Sequence, residues 1–199
     1  MKYCKHAAVA ALAILFSSAA AAEAPSYDYV QLGYSAGEYG DLEVFDLGGF
    51  EVEGSYEVGA NLFITGKYRD ADDSAQGYTF DESYWQAGVG YRFNYRPDLV
   101  FDARLYYNQV DFDLHDSEEY LSADANFFSL AGNARYQVLE DVEVYGGVEW
   151  QRWPEGGYQT GIRGGAQYAF GKANAFAVGI EYSHFSDSEW CKLFARYSF

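Results

Sequence analysis

His184, Ser186 and Glu189 stand close together near the end of the chain, and a histidine, a hydroxyl and a carboxylate are the parts of an activated nucleophile. The imidazole would take the hydroxyl proton as general base while the carboxylate holds its tautomer. Glu189 follows Ser186 by only three positions, however, which places all three on one tight connection. The plainer reading is an interfacial histidine beside an acidic loop, and His115, inside an acidic run, offers less. A second pattern, Asp70-Ala71-Asp72-Asp73, begins like an oxygen-donor calcium loop. Ala75 then stands where that loop needs its turn glycine and Asp81 where it needs its bidentate glutamate, so no metal site or cofactor is expected.

The most regular charge pattern is a different one. Glu51 and Glu53, Lys67 and Arg69, and Asp102 and Arg104 are each two positions apart. Glu57, Arg92, Arg135, Glu143, Glu149, Arg163, Glu181, Lys192 and Arg196 fall in segments of the same alternating kind. Together these are eight cations and seven carboxylates. Strand side chains have a period of two, so each segment presents a charged face and an opposite one. The segments run over roughly 27–35, 48–58, 61–70, 83–93, 99–109, 126–138, 142–153, 158–170, 175–185 and 190–199. No useful helical periodicity and no linker interrupts them, which predicts one all-β domain.

The opposite face is apolar throughout, for instance Trp85, Ala87, Val89, Tyr91 and Phe93, with aliphatic residues in the middle of the segments and aromatic ones at the ends. A soluble sandwich has no reason to build an apolar band between two aromatic girdles, whereas a membrane barrel does. Nor can a sandwich core hold fifteen charges, because desolvated ions are costly unless paired. The expected fold is therefore a closed antiparallel up-and-down transmembrane β-barrel of about ten strands, with eight as the alternative count. Inward-pointing Phe63, Tyr106, Tyr145 and Phe194, added to the charges, predict a plugged lumen. Short turn-forming connections follow the second, fourth, sixth and eighth segments, and runs of about twelve residues or more follow the first, third and fifth. This alternation puts both termini on the short-turn rim.

Lys2 and Lys5, the apolar run from Ala7 to Phe16 and Ala20-Ala21-Ala22 have the order of a secretory signal, so residues 1–22 are expected to be removed and 23–199 to form the barrel. Removal takes two lysines and no acids, moving the formal charge from -17 to -19. Such a surface argues against nucleic acid as a partner. Cys191 is the only cysteine beyond the signal, so no internal disulfide is expected in the processed chain. The lumenal charges nearly balance, and the acidic surplus lies in the connections: Glu38, Asp41, Glu43, Asp46, Asp70, Asp72, Asp73, Asp81, Glu82, Asp111, Asp113, Asp116, Glu118, Glu119, Asp124, Glu155, Asp187 and Glu189. One reading is a solvated rim; the sharper one is divalent cations bridging it to lipopolysaccharide phosphates.

With its signal, its alternating segments and its terminal Leu193-Phe-Ala195-Arg-Tyr197-Ser-Phe199, the chain resembles small outer-membrane β-barrel proteins of Gram-negative bacteria. That resemblance implies an outer-membrane location among lipid and lipopolysaccharide, delivery by periplasmic chaperones, and a C-terminal strand read by the barrel-assembly machinery through Leu193, Ala195, Tyr197 and Phe199. Ser26 to Tyr34, Trp85 to Tyr91 and the final hairpin are similar to an OmpA-like family that has carried the name sulfation-dependent quorum factor. His184-Phe185-Ser186 resembles the His-x-Ser of lipid A deacylases, whose further motif residues are absent. The expected role is a non-enzymatic, monomeric surface barrel, with a narrow passive porin or a lipid A-modifying enzyme as alternatives.

Overall fold

The computed structural model describes residues 25–42, 44–116, 119–154, 156–171 and 174–199; the expected signal segment 1–22, Glu43, Glu118 and Glu155 lie outside the described residues. Ten antiparallel strands close into a barrel: β1 (Tyr29–Tyr39), β2 (Leu47–Gly59), β3 (Leu62–Ala75), β4 (Tyr78–Arg96), β5 (Leu99–His115), β6 (Tyr120–Leu139), β7 (Val142–Arg152), β8 (Tyr158–Phe170), β9 (Phe176–Phe185) and β10 (Ser188–Ser198). Each strand pairs with its sequence neighbours. β10 then returns to β1, with Ser198 opposite Tyr29 and Ser188 opposite Tyr39, so no edge is left unpaired.

The expected faces are the observed ones. Val30, Leu32, Val89, Leu105, Leu130, Val148, Val178 and Leu193 point outward and are exposed. Aromatic rings bound this band at both ends. Trp85 and Phe128 flank Tyr107 with ring centroids 5.4 Å away on either side. At the rim holding the termini, Tyr197 lies 5.2 Å from Phe176 and 6.2 Å from Phe199. Inside, rings lie flat over glycines of the adjacent strand. A Cβ at Gly90 would sit 2.2 Å from the Phe63 ring and one at Gly179 2.4 Å from the Phe194 ring, so a larger residue at either position would displace the ring that fills the lumen.

The connections differ from expectation. The runs after β3 and β5 are not loops: β3 and β4 continue to a two-residue turn at Gln76 and Gly77, both with positive φ, and β5 and β6 extend to His115 and Tyr120. The reason is an inversion of the pattern. Within the apolar band, strands are apolar outside and charged inside. Beyond it, Asp70, Asp72, Asp111 and Asp113 take the outward positions while Ala71, Phe80, Phe112 and Leu114 turn inward. Water replaces lipid around the barrel, so the period of two persists with its polarity reversed.

Candidate functional site: the lumen and its two mouths

Alternation directs the charges of neighbouring strands into one enclosed space, where they pair. Lys192 sits at the centre of the largest group: its Nζ lies 2.7 Å from Glu51 Oε1, 3.0 Å from Glu181 Oε1 and 3.4 Å from Glu53 Oε2. Tyr29 and Tyr145 donate to Glu53 and Glu181 at 2.5 and 2.9 Å, supplying those carboxylates with further donors. Arg196 lies 3.9 Å over the Tyr29 ring and donates twice to Gln31 Oε1 rather than to a carboxylate. Nearer the termini, Arg104 pairs with Asp102 at 2.6 Å, Arg135 with Glu143 at 2.7 Å and Arg92 with Glu57 at 2.9 Å. Such pairs offset the cost of desolvating each partner alone. Between these groups the mid-lumen hole measures about 30 Å3, room for a water molecule or two.

Both mouths are narrowed. On the termini side the chain before β1 turns into the barrel. Tyr27 is fully buried there against Phe63 and Val100, with its ring 4.5 Å from Phe63. Its hydroxyl donates to Asp102 Oδ2 at 2.8 Å, and Arg135 Nη1 donates to the Ser26 carbonyl at 2.9 Å. On the opposite side Phe45, Leu47, Ala71, Phe80 and Trp190 form an apolar cluster beneath the extended strands. Arg69 joins this cluster to the charge network, its guanidinium 3.4 Å from the Trp190 ring and 2.6 Å from Glu82 Oε1. Tyr39 donates its hydroxyl to the same glutamate.

Glu82 is the lumenal residue that the sequence reading missed. Starting the fourth segment at residue 83 assigned it to an acidic connection, yet its side chain is fully buried and it brings the lumenal acids to eight, matching the eight cations. The signal that identifies it is its position two residues before Tyr84 and four before Gln86, both inward. Of the other predicted lumenal residues, Glu149 is buried without an ion pair among the described residues, and Lys67 and Arg163 are half-buried. All of them face inward.

The outward acids form rows on the extended sheet. Asp81 stands opposite both Asp72 and Asp113, and Asp111 opposite Asp124. Like charges directly opposed are destabilising. Partial desolvation, followed by the neighbouring Asp72, Asp113 and Asp70, raises the pKa of Asp81 above its ordinary value, and His115 opposes that rise from 3.4 Å. Among the described residues no three His, Cys, Asp or Glu side chains converge where an ion could be held.

Residues 7–159 match the family described as outer membrane protein beta-barrel domain. The chain belongs to this outer-membrane β-barrel family. Two solved structures resemble it in fold. The NanC porin is 9% identical, with a TM-score of 0.55 over 85% of this chain and 100% of that one. The translocator domain of the autotransporter NalP from Neisseria meningitidis is also 9% identical, with a TM-score of 0.53 over 100% of this chain and 94% of that one. No curated protein matches.

If the termini-side turns are the periplasmic ones, as in outer-membrane barrels generally, Tyr27 would close the periplasmic mouth and the acidic sheet would project outside the cell. His184 and Glu189 meet on the outer wall, Nδ1 to Oε1 at 3.4 Å. No hydrogen bond links His184 to Ser186 among the described residues, so the histidine and the acid come together without the hydroxyl. Replacing His184 by alanine should therefore leave lipid A acylation unchanged in cells that overexpress the barrel. Loss of a lipid A acyl chain with the unaltered protein but not with His184→Ala, seen by mass spectrometry, would establish the enzyme instead.

Proposed function

We propose that this chain, after removal of residues 1–22, acts as a monomeric, non-enzymatic and non-conducting barrel that holds an acidic β-sheet above the outer membrane, in a structural or surface-interaction role. The observation that carries this reading is the filling of the lumen. A mid-lumen hole of about 30 Å3 lies between the Lys192 network and the Tyr27 closure. A solute-conducting pore needs a continuous water column, whereas a rigid support needs none. The rows from Asp70 to Asp124 would meet lipopolysaccharide phosphates through divalent cations shared along the sheet, since oxygen-rich surfaces attract hard cations.

The purified barrel in a planar bilayer should show conductance at the baseline of the protein-free membrane. Steady ohmic steps that grow with salt concentration would favour the narrow passive porin and overturn the support reading. In this reading Leu193, Ala195, Tyr197 and Phe199 form the strip read by the assembly machinery, and all four are exposed on the lipid face. Deleting Phe199 should reduce the membrane-inserted fraction severalfold in cells while the purified variant still folds in detergent. Wild-type insertion of that deletion would remove the strip's role.

A further inference from the structure

Beside the apolar mouth, above the Lys192 network, the lumen widens into a cavity of about 260 Å3 that reaches the outer rim at Asp187 and Ser188. Its walls include Lys67, Tyr84, Phe127, Glu149, Trp153 and Arg163. Three of these are charged and lack direct counter-ions: among the described residues, no ion pair within 4.0 Å uses Lys67, Arg163 or Glu149. The Lys67 ammonium lies 4.9 Å from the centroid of the Tyr84 ring. Arg163 Nε donates to Asn133 Oδ1 at 2.9 Å, and buried Glu149 accepts from Gln151 at 3.3 Å. The Trp153 ring stacks on Phe127 with centroids 4.1 Å apart, and its indole N–H is buried with no acceptor. A buried donor without an acceptor and a buried carboxylate with no cation within ion-pair distance are both costly, and here they border the same space.

We propose that this cavity binds a small zwitterion bearing a flat apolar side group, the chemistry of an aromatic α-amino acid. Its carboxylate would meet Arg163 and Lys67, its ammonium Glu149, and its ring the pair Phe127 and Trp153. A simple anion would leave Glu149 uncompensated, and a simple cation would leave Lys67 and Arg163 so. A zwitterion answers both, and being neutral overall it is not repelled by the acidic rim. The volume lies just below the range of drug-sized pockets and suits a ligand of this size. The mid-lumen hole below is too small to pass such a molecule, so the site holds its ligand rather than conducting it.

The test is calorimetry on the detergent-folded barrel with three ligands that share one ring: phenylalanine, 3-phenylpropionate, which lacks the ammonium, and phenethylamine, which lacks the carboxylate. Phenylalanine should bind saturably and each truncated ligand at least about tenfold more weakly, equivalent to about 1.4 kcal/mol. Glu149→Gln should bring phenylalanine down to the affinity of 3-phenylpropionate and change the latter by less than about twofold. No saturable binding of phenylalanine up to ~10 mM, or equal affinities for phenylalanine and 3-phenylpropionate, would overturn the proposal. If Glu149→Gln fails to fold, as judged by gel mobility before and after heating, the three ligands on the unaltered barrel decide the matter alone. Conductance plays no part in these measurements, so the site and the support role fail separately.

Discussion

Replacing Lys192 by methionine should destabilise the barrel by about 3–5 kcal/mol, the cost of leaving buried charge uncompensated. The side chain is 5% exposed and its ammonium lies within 3.4 Å of Glu51, Glu53 and Glu181, so its removal leaves three lumenal carboxylates facing one another. Methionine keeps most of the stem and its packing, which confines the loss to charge. Reversible urea unfolding in lipid vesicles, followed by tryptophan fluorescence, measures the effect. A shift below about 1 kcal/mol, the range of exposed ion pairs, would mean that water already screens the network. The lumen would then be far wetter than a 30 Å3 hole allows.

Arginine at Val89 tests the other face. Val89 is 53% exposed and lies midway along β4 between the outward rings of Trp85 and Phe93, with Leu105 and Ile64 as its cross-strand neighbours. Placed at the bilayer midplane, the guanidinium should cost about 2–4 kcal/mol in the same assay. At Tyr95, which is exposed near the rim that holds the termini, the same substitution should cost only about 0–1 kcal/mol because the side chain reaches the interface. Equal costs at the two depths would show that this face does not meet hydrocarbon. The pair of variants reads depth in the membrane, whereas the Lys192 variant reads the interior.

The architecture was legible in the sequence because a strand writes its two environments at alternate positions. Val89 beside Gly90, or Leu193 beside Phe194, assigns lipid and lumen without any knowledge of which strands pair. Nearly all the lumenal charges were found this way, and ten segments arranged on two rims implied closure. Glu82 and the upper parts of β3 to β6 were not legible for one physical reason: the outward face does not stay apolar, because above the membrane it meets water.

By itself, then, the sequence determined the barrel and the sign of each face within the apolar band, both of which follow from local periodicity and solvent. Only the tertiary structure decided which charges neutralise one another, because Lys192 and Glu51 lie 141 residues apart and meet only when β10 closes on β1 and β2. The same closure seats Tyr27 against Phe63 and Val100. It also gathers Lys67, Glu149 and Arg163, from three different strands, around one cavity with no ion-pair partner for any of them among the described residues. Pairing across a lumen depends on barrel geometry and side-chain reach, and strand periodicity carries neither.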